Sequence, residues 1–392
     1  MGIVSAIGMN TQENYAALLK KKHGISRIEL IDTKLKDSIL VGEIKKSNQD
    51  LMKMLQLEAN NNFSRTAMLG AIAAREAIES AGISPLGDIH CGFINATSVG
   101  GMDMTERYFY EFVDSPENRR FIELQNTGVN TQNITDYLKI SGLSSTISTA
   151  CSSAANAIIM GARLIQSGRL ERVVVGGTDA LCKFTMNGFN TLMILSDSFN
   201  TPFDNKRKGL NLGEGAAYLV LESEKSFSSR NKEPIAYLAG FANTNDAFHQ
   251  TASSEDGEGA FLAMQQALSL AQMAPSDIDY VNVHGTATPN NDLSEGRAMV
   301  RVFDLETPKF SSTKPYTGHT LAAAASIEAV FSLLSIQNQV VFPNLHFNEK
   351  MEEFDLIPVL DLEHASVETV LSNSFGFGGN CSALIFTKYP EA

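Results

Sequence analysis

The chain has 392 residues, 43% hydrophobic and 19% charged, an ordinary globular composition with room for two or three domain-sized units or one large duplicated core. Its formal net charge of −13 leaves no basic field for nucleic-acid phosphates, which excludes that class of partner. No apolar run reaches the roughly 18 residues of a membrane span, and four dispersed cysteines without a CxxC pair form neither a disulfide framework nor a zinc pattern, so a reducing cytoplasm is expected.

The opening MGIVSAIGMNTQEN lacks a basic region followed by a long apolar one, so no secretory signal is expected. In chain order, SRTAMLGAIAAREAIESAG (64–82) has apolar residues three and four apart and predicts a helix, and GFINATS (92–98) follows as a strand. STACSSAANAIIMGARLIQSGRL (148–170) then sets Cys151 just ahead of a helical run of small and apolar residues. A helix start favours a thiolate, yet free cysteine is also a common buried filler, and at this point both readings stand. RVVVGGTDAL (172–181) and AAYLVLE (216–222) read as strands, and SEKSFSSRNKEP (223–234) is the most polar connector in the middle of the chain. Beyond it come helices in FLAMQQALSLAQM (261–273) and AAAASIEAVFSLLSIQ (322–337), and strands in DYVNVHG (279–285), TVLSNSF (369–375) and SALIFTK (382–388). Strands alternating with helices predict an α/β protein with layered sheets.

LGEGAAYLVLE (212–222) and FGGNCSALIFT (377–387) are each a glycine-rich turn leading into an apolar strand, and each closes a segment holding a small-residue helix. Glycine turns before strands are common, but the matching order of elements points to a duplication, with halves 1–228 and 229–392.

Three further stretches carry candidate chemistry. His284 ends the strand-like YVNVH, where a side chain projects into a cleft, and Thr286 and Thr288 face one way behind it. His319 precedes a helix of alanines, with Lys314 five residues upstream and Glu328 nine downstream. SNSFGFGGN (372–380) is apolar and glycine-rich, so its backbone N–H groups can approach a ligand. A satisfied structural histidine, a solvated helix start and a tight turn over two packed phenylalanines would account for each alone. Together with Cys151 they supply what thioester chemistry needs: a thiol at a helix start, two histidines, a lysine and N–H donors.

TACSSA around Cys151, NVHGTATPNND around His284, KPYTGH around His319 and NSFGFGGN resemble, in the same order, the motifs of the β-ketoacyl-acyl carrier protein synthases, elongating condensing enzymes of the thiolase superfamily. The resemblance runs from GIVSAIG (2–8) through PFDNKRKGLNLGEGAAYLVLE (202–222) and NDAFHQTASSEDGEGA (245–260) to the C-terminal strand. It implies a five-layered α-β-α-β-α sandwich of two similar halves, working in the cytoplasm as a homodimer or as a heterodimer with a homologous subunit. The implied reaction is a decarboxylating Claisen condensation. An acyl group passes from acyl carrier protein to Cys151, malonyl-carrier protein loses carbon dioxide, and the carbanion extends a fatty acid or polyketide/polyene-type chain by two carbons.

By the same resemblance, Cys151 is the nucleophile, and His284 and His319 bind the malonyl thioester carbonyl. Lys314 and Glu328 are a supporting pair that positions His319. The backbone N–H groups of Cys151 and Phe375 form the oxyanion hole, and Phe375 is also a gate. Thr286 and Thr288 hold the phosphopantetheine arm, and Phe189, Val99 and Phe377 bind substrate. No metal or organic cofactor is implied, because the thioesters arrive activated.

The chain departs from the family in places. It opens inside the region where the family carries a strand, so a core strand of the first half is expected to be cut short or missing. The family's PFD-x-x-RDG-F reads PFDNKRKGLN, with Lys208 in place of an aspartate, and GHxxGAAG reads GHTLAAAA, with alanines at 322 and 325. Lys-Pro-Tyr stands for Lys-Ser-Met. These changes spare the catalytic set and bear on the substrate, pointing to a side branch for specialised acyl chains. Carrier proteins are acidic, so docking on an acidic chain needs a local basic patch, with Arg65, Lys53, Lys183 and Lys206–Lys208 as candidates. Two alternatives compete. A non-catalytic chain-length subunit would lack the cysteine, which is present. A non-decarboxylating thiolase-like acyltransferase would pair one histidine with a second cysteine such as Cys381, whereas the HGT and KPYTGH motifs argue for two histidines.

Overall fold

The computed structural model describes residues 1–83, 88, 90–228, 230, 233–304 and 306–388. Strands β1 (Gly2–Val4), β2 (Cys91–Ala96), β3 (Ser144–Ile147), β4 (Arg172–Asp179) and β5 (Gly215–Glu222) make one sheet, in the spatial order β1-β5-β4-β2-β3. The chain then supplies β6 (Ala236–Asn245), β7 (Tyr280–Asn282), β8 (Lys309–Ser311), a small separate ladder of β9 (Val340–Val341) and β10 (Glu363–His364), and finally β11 (Thr369–Gly376) and β12 (Asn380–Lys388). The second large sheet is ordered β6-β12-β11-β7-β8. The two sheets follow one plan: the first three strands of each order pair antiparallel, the last three parallel. The likeness of LGEGAAYLVLE and FGGNCSALIFT is therefore that of β5 and β12, equivalent strands of a repeated unit.

Helix α1 (Arg65–Ala81) covers the outer face of the first sheet; α2 (Ser153–Gln166) lies between the sheets; and the short α3 (Lys183–Thr191) follows β4. Helices α4 (Glu258–Ala271) and α5 (Pro289–Phe303) belong to the second half, α4 lying against its sheet and α5 against α4, and α6 (Ala324–Asn338) joins α2 in the middle layer, touching both β5 and β11. This gives the five layers. Close approach in the middle layer depends on small residues: a Cβ added at Gly161 of α2 would lie 2.4 Å from Val175. The stretch Leu321–Asn338 is long and apolar enough to cross a membrane by composition, but 89% of it is buried inside the protein, as an all-round apolar helix between two sheets must be.

Helices 64–82, 261–273 and 322–337 and all six expected strands appear within a few residues of their sequence bounds. The sequence reading missed β1, β3, β6, β8, β9, β10, α3 and α5. The first strand is short: β1 pairs only with Ala216–Tyr218, whereas its counterpart β6 runs along all of β12. The boundary expected at 228/229 falls in a connector of which residues 229, 231 and 232 lie outside the described residues.

Candidate active site

Cys151 sits on a sharp turn. Ala150 before it has φ +53°, a conformation that costs a non-glycine residue about 1–3 kcal/mol and persists only where neighbours enforce it. They do so here. The Ser153 hydroxyl donates to the Ala150 carbonyl at 2.5 Å and accepts from the Thr149 N–H at 2.8 Å, and the Ser374 hydroxyl donates to the Cys151 carbonyl at 3.0 Å. Gly376, at the end of β11, lies against the same turn: an added Cβ would stand 2.8 Å from the Thr149 oxygen and 3.1 Å from the Cys151 nitrogen. The thiol faces a cavity of about 350 Å³ that both histidines, Thr286, Thr288 and Phe377 also line.

His319 Nε2 stands 3.1 Å from Cys151 Sγ. The Leu321 N–H donates to His319 Nδ1 at 3.2 Å, which places the ring proton on Nε2. His284 arrives from the end of β7. Its own N–H and that of Gly285 donate to the two Glu295 oxygens, both at 2.8 Å, and Asn373 donates to Glu295 from β11 at 3.1 Å. Lys314 Nζ donates to the His284 carbonyl at 2.5 Å and lies 3.3 Å from His284 Nδ1, while ion-pairing with Glu328. His284 therefore also carries its proton on Nε2. The two rings are 5.5 Å apart and nearly perpendicular.

Burial, and then the Lys314 charge, hold both imidazoles well below the usual 6.5, so both are neutral donors at pH 7. Burial likewise pushes the Cys151 thiol up to about 11, against the pull of Lys314 and of the Phe377 backbone N–H on its sulfur. Glu328 and Glu295 are each raised by burial to about 7.

Five expectations need correction. Lys314 and Glu328 support His284, not His319, whose ring is oriented by Leu321. The backbone N–H beside the Cys151 sulfur is that of Phe377, not Phe375. Phe375 is paired in the β11–β12 ladder opposite Cys381, with its ring 5.7 Å from His284, inside the strand and not on the glycine turn that follows it. Val99 is buried in an apolar cluster with Leu181, Met186 and Leu321 behind the cavity, of which it is not a lining residue. Phe189 does line the cavity and stacks on Phe377 at 5.8 Å, and the Thr286 and Thr288 hydroxyls are 2.9 Å apart on its wall. Cys381 lines it too, its thiol pushed up by burial to about 12. Among the basic candidates, Arg65 is buried in an ion pair with Glu214 and is unavailable for docking. Lys206 pairs with Glu349, while Lys53, Lys183 and Lys208 are exposed.

The sequence reading overlooked Glu295 and Asp292, which hold the 284–288 loop. Asp292 accepts the Ala287 and Phe203 N–H groups. The signal was available, since carboxylates three apart share one face of a helix that starts at Pro289. Among the described residues, no three His, Cys, Asp or Glu side chains converge to hold a metal ion.

The N-terminal domain of the beta-ketoacyl synthases matches residues 1–226 and their C-terminal domain matches residues 235–348. 3-Oxoacyl-[acyl-carrier-protein] synthase 2 of Staphylococcus aureus is 33% identical over 99% of this chain and 97% of its own. Among solved structures, the ishigamide ketosynthase/chain length factor superposes with a TM-score of 0.93 at 26% identity, covering 99% of this chain and 98% of that one. A type II polyketide acyl carrier protein in complex with its hexaketide-bound ketosynthase gives 0.87 at 25% identity, with the same coverage. With both domains of one family matched in order along it, the chain belongs to the beta-ketoacyl synthase family.

Proposed function

We propose that the protein joins a Cys151-bound acyl group to malonyl-acyl carrier protein, releasing carbon dioxide and a β-ketoacyl thioester two carbons longer. The observation that carries this reading is His319 Nε2 at 3.1 Å from Cys151 Sγ, with a second neutral imidazole 5.5 Å away in the same cavity. Cys151 attacks the acyl-carrier thioester; the S–acyl bond to the carrier breaks and the pantetheine thiol leaves with a proton. His319 Nε2–H, the Phe377 N–H and the Lys314 charge stabilise the thiolate that burial alone disfavours.

Malonyl-carrier protein then enters past Thr286 and Thr288, and both Nε2–H groups donate to its thioester carbonyl. The C–C bond to the carboxylate breaks, and its electron pair moves into the enolate those donors hold, each worth about 3–4 kcal/mol. The enolate carbon attacks the acyl carbonyl. The N–H groups of Cys151 and Phe377 receive the oxyanion before the C–S bond to Cys151 breaks. Phe377, followed by Gly378 at φ +81° and Gly379 at φ +79°, has the freedom to lift off Phe189 and is the gate. The acyl chains are of the fatty or polyketide/polyene type, no cofactor takes part, and the enzyme works in the cytoplasm with itself or a homologous subunit as partner.

Mass spectrometry with a panel of acyl-carrier proteins, followed by malonyl-carrier protein, tests this. An acyl adduct on Cys151 and then a product longer by two carbons is expected; no adduct would overturn the reading. Cys151→Ala abolishes condensation, while Cys151→Gln, which mimics the acylated state, keeps malonyl decarboxylation.

A further inference from the structure

The nucleophile turn has a counterpart in the other half. Ala150 at φ +53° and Cys151 precede α2; Leu321 at φ +54° and Ala322 precede α6 at the equivalent place in the repeat. The facing strand ends correspond as well. Gly376 closes β11 against the Cys151 nitrogen, and Asp179 closes β4 and accepts the Ala322 N–H at 2.9 Å. One helix start keeps its N–H for a substrate oxyanion, whereas the other donates it to a carboxylate of the protein itself.

Asp179 is fully buried, and every hydrogen bond it makes is to a neutral donor. Besides Ala322 it accepts from the Thr97 hydroxyl at 2.5 Å, the Ser98 hydroxyl at 2.7 Å, the Ser98 N–H at 3.2 Å and the Val99 N–H at 3.1 Å. Val99 and Leu321 belong to the apolar cluster behind the cavity, against which the cavity-lining Phe189 and Ile194 are packed. On its other side, the Leu321–Ala322 turn supplies the N–H that fixes the His319 ring.

We propose that Asp179 is a positioning residue, clamping Thr97–Val99, in the layer behind the acyl pocket, to the turn that holds His319, so that what fills the pocket is felt through that layer at the Nε2–H used for decarboxylation. The inference rests on the condensing reading of the site. An asparagine has one acceptor oxygen and turns an NH₂ group toward donors, so Asp179→Asn must release either the Ala322 or the Thr97–Val99 side.

The full-length protein and its Asp179→Asn and Thr97→Val variants are compared by histidine ¹⁵N NMR, malonyl-carrier decarboxylation kinetics and iodoacetamide labelling of Cys151. Expected for Asp179→Asn are a mixture of His319 tautomers in place of the single Nε2–H form, and a kcat lower by about tenfold at little-changed KM. Labelling of Cys151 should change less than decarboxylation, because the lost Nε2–H donation and the removed negative charge act on the thiolate in opposite directions. Thr97→Val shifts the first two in the same direction by less, and it decides the matter if Asp179→Asn does not fold. A single unchanged tautomer, an unchanged kcat, or labelling that slows in step with decarboxylation would overturn the proposal. Should wild type form no acyl adduct at all, the condensing reading falls, while the tautomer measurement still decides what Asp179 holds.

Discussion

At the scale of single residues, the two imidazoles are kept neutral by burial and by one shared cation, and that has a measurable sign. Protonation of either would remove a donor of defined geometry, so decarboxylation declines as pH falls through their own ionisation, well below 6.5. Lys314→Met removes the charge that depresses both. The acid limb of kcat against pH should then move to higher pH, with a lower plateau because His284 loses its Nδ1 partner; an unmoved limb would show that burial alone sets these values. The sequence made Cys151, His284 and His319 legible because each stands at the end of an element. It misplaced the partner of Lys314 because nearness in sequence is not nearness in space. The turn from Lys314 to Gly318 folds the lysine under a histidine 30 residues earlier. Phe375 and Phe377 were confused for a related reason. Residues two apart look alike in a strand pattern, and only the ladder, which ends at Gly376, leaves the Phe377 N–H free for the sulfur.

Among elements, strands and helices with sustained periodicity were readable and short or small-residue ones were not. Three residues, as in β1 and β8, give no alternation to detect, and AYLAGFANTN (236–245) fills a strand with alanines, a glycine and asparagines. Helix α5 begins in PNND, whose polar start hid it. Packing at strand ends matters more than periodicity for the site. Gly376→Ala drives a Cβ into the Thr149 carbonyl and the Cys151 nitrogen, so a loss of roughly 1–3 kcal/mol of stability and a large loss of Cys151 acylation are expected. Thermal melts and acylation rates on the same variant check both, and near-normal acylation would mean the nucleophile turn tolerates displacement.

Across the whole molecule, net charge and local charge act against each other. A chain at −13 repels an acidic carrier except where cations cluster, and Arg207 donates to the carbonyl of Pro289 on the cavity wall, so the Lys206–Lys208 segment borders its mouth. Among the described residues Lys208 is exposed and has no ion pair, whereas Arg65 is spent inside the fold. Lys208→Glu should raise KM for carrier-bound substrates by a small factor, about threefold, and leave kcat alone. Arg65→Ala should instead cost roughly 3–5 kcal/mol, by leaving Glu214 buried and unpaired. Steady-state kinetics on the first and chemical denaturation of the second separate docking from stability.

The middle layer also sets an order of events during synthesis. The first sheet has its five strands by residue 222, but β5 is covered on its inner face by α6, which begins at Ala324, about a hundred residues later. Until that helix emerges, an apolar sheet face waits open on the ribosome, and when it does emerge it has the composition of a membrane anchor. The two halves therefore cannot mature one after the other as independent beads; the nucleophile turn of the first reaches its final form only when the last third of the chain has arrived to close over it.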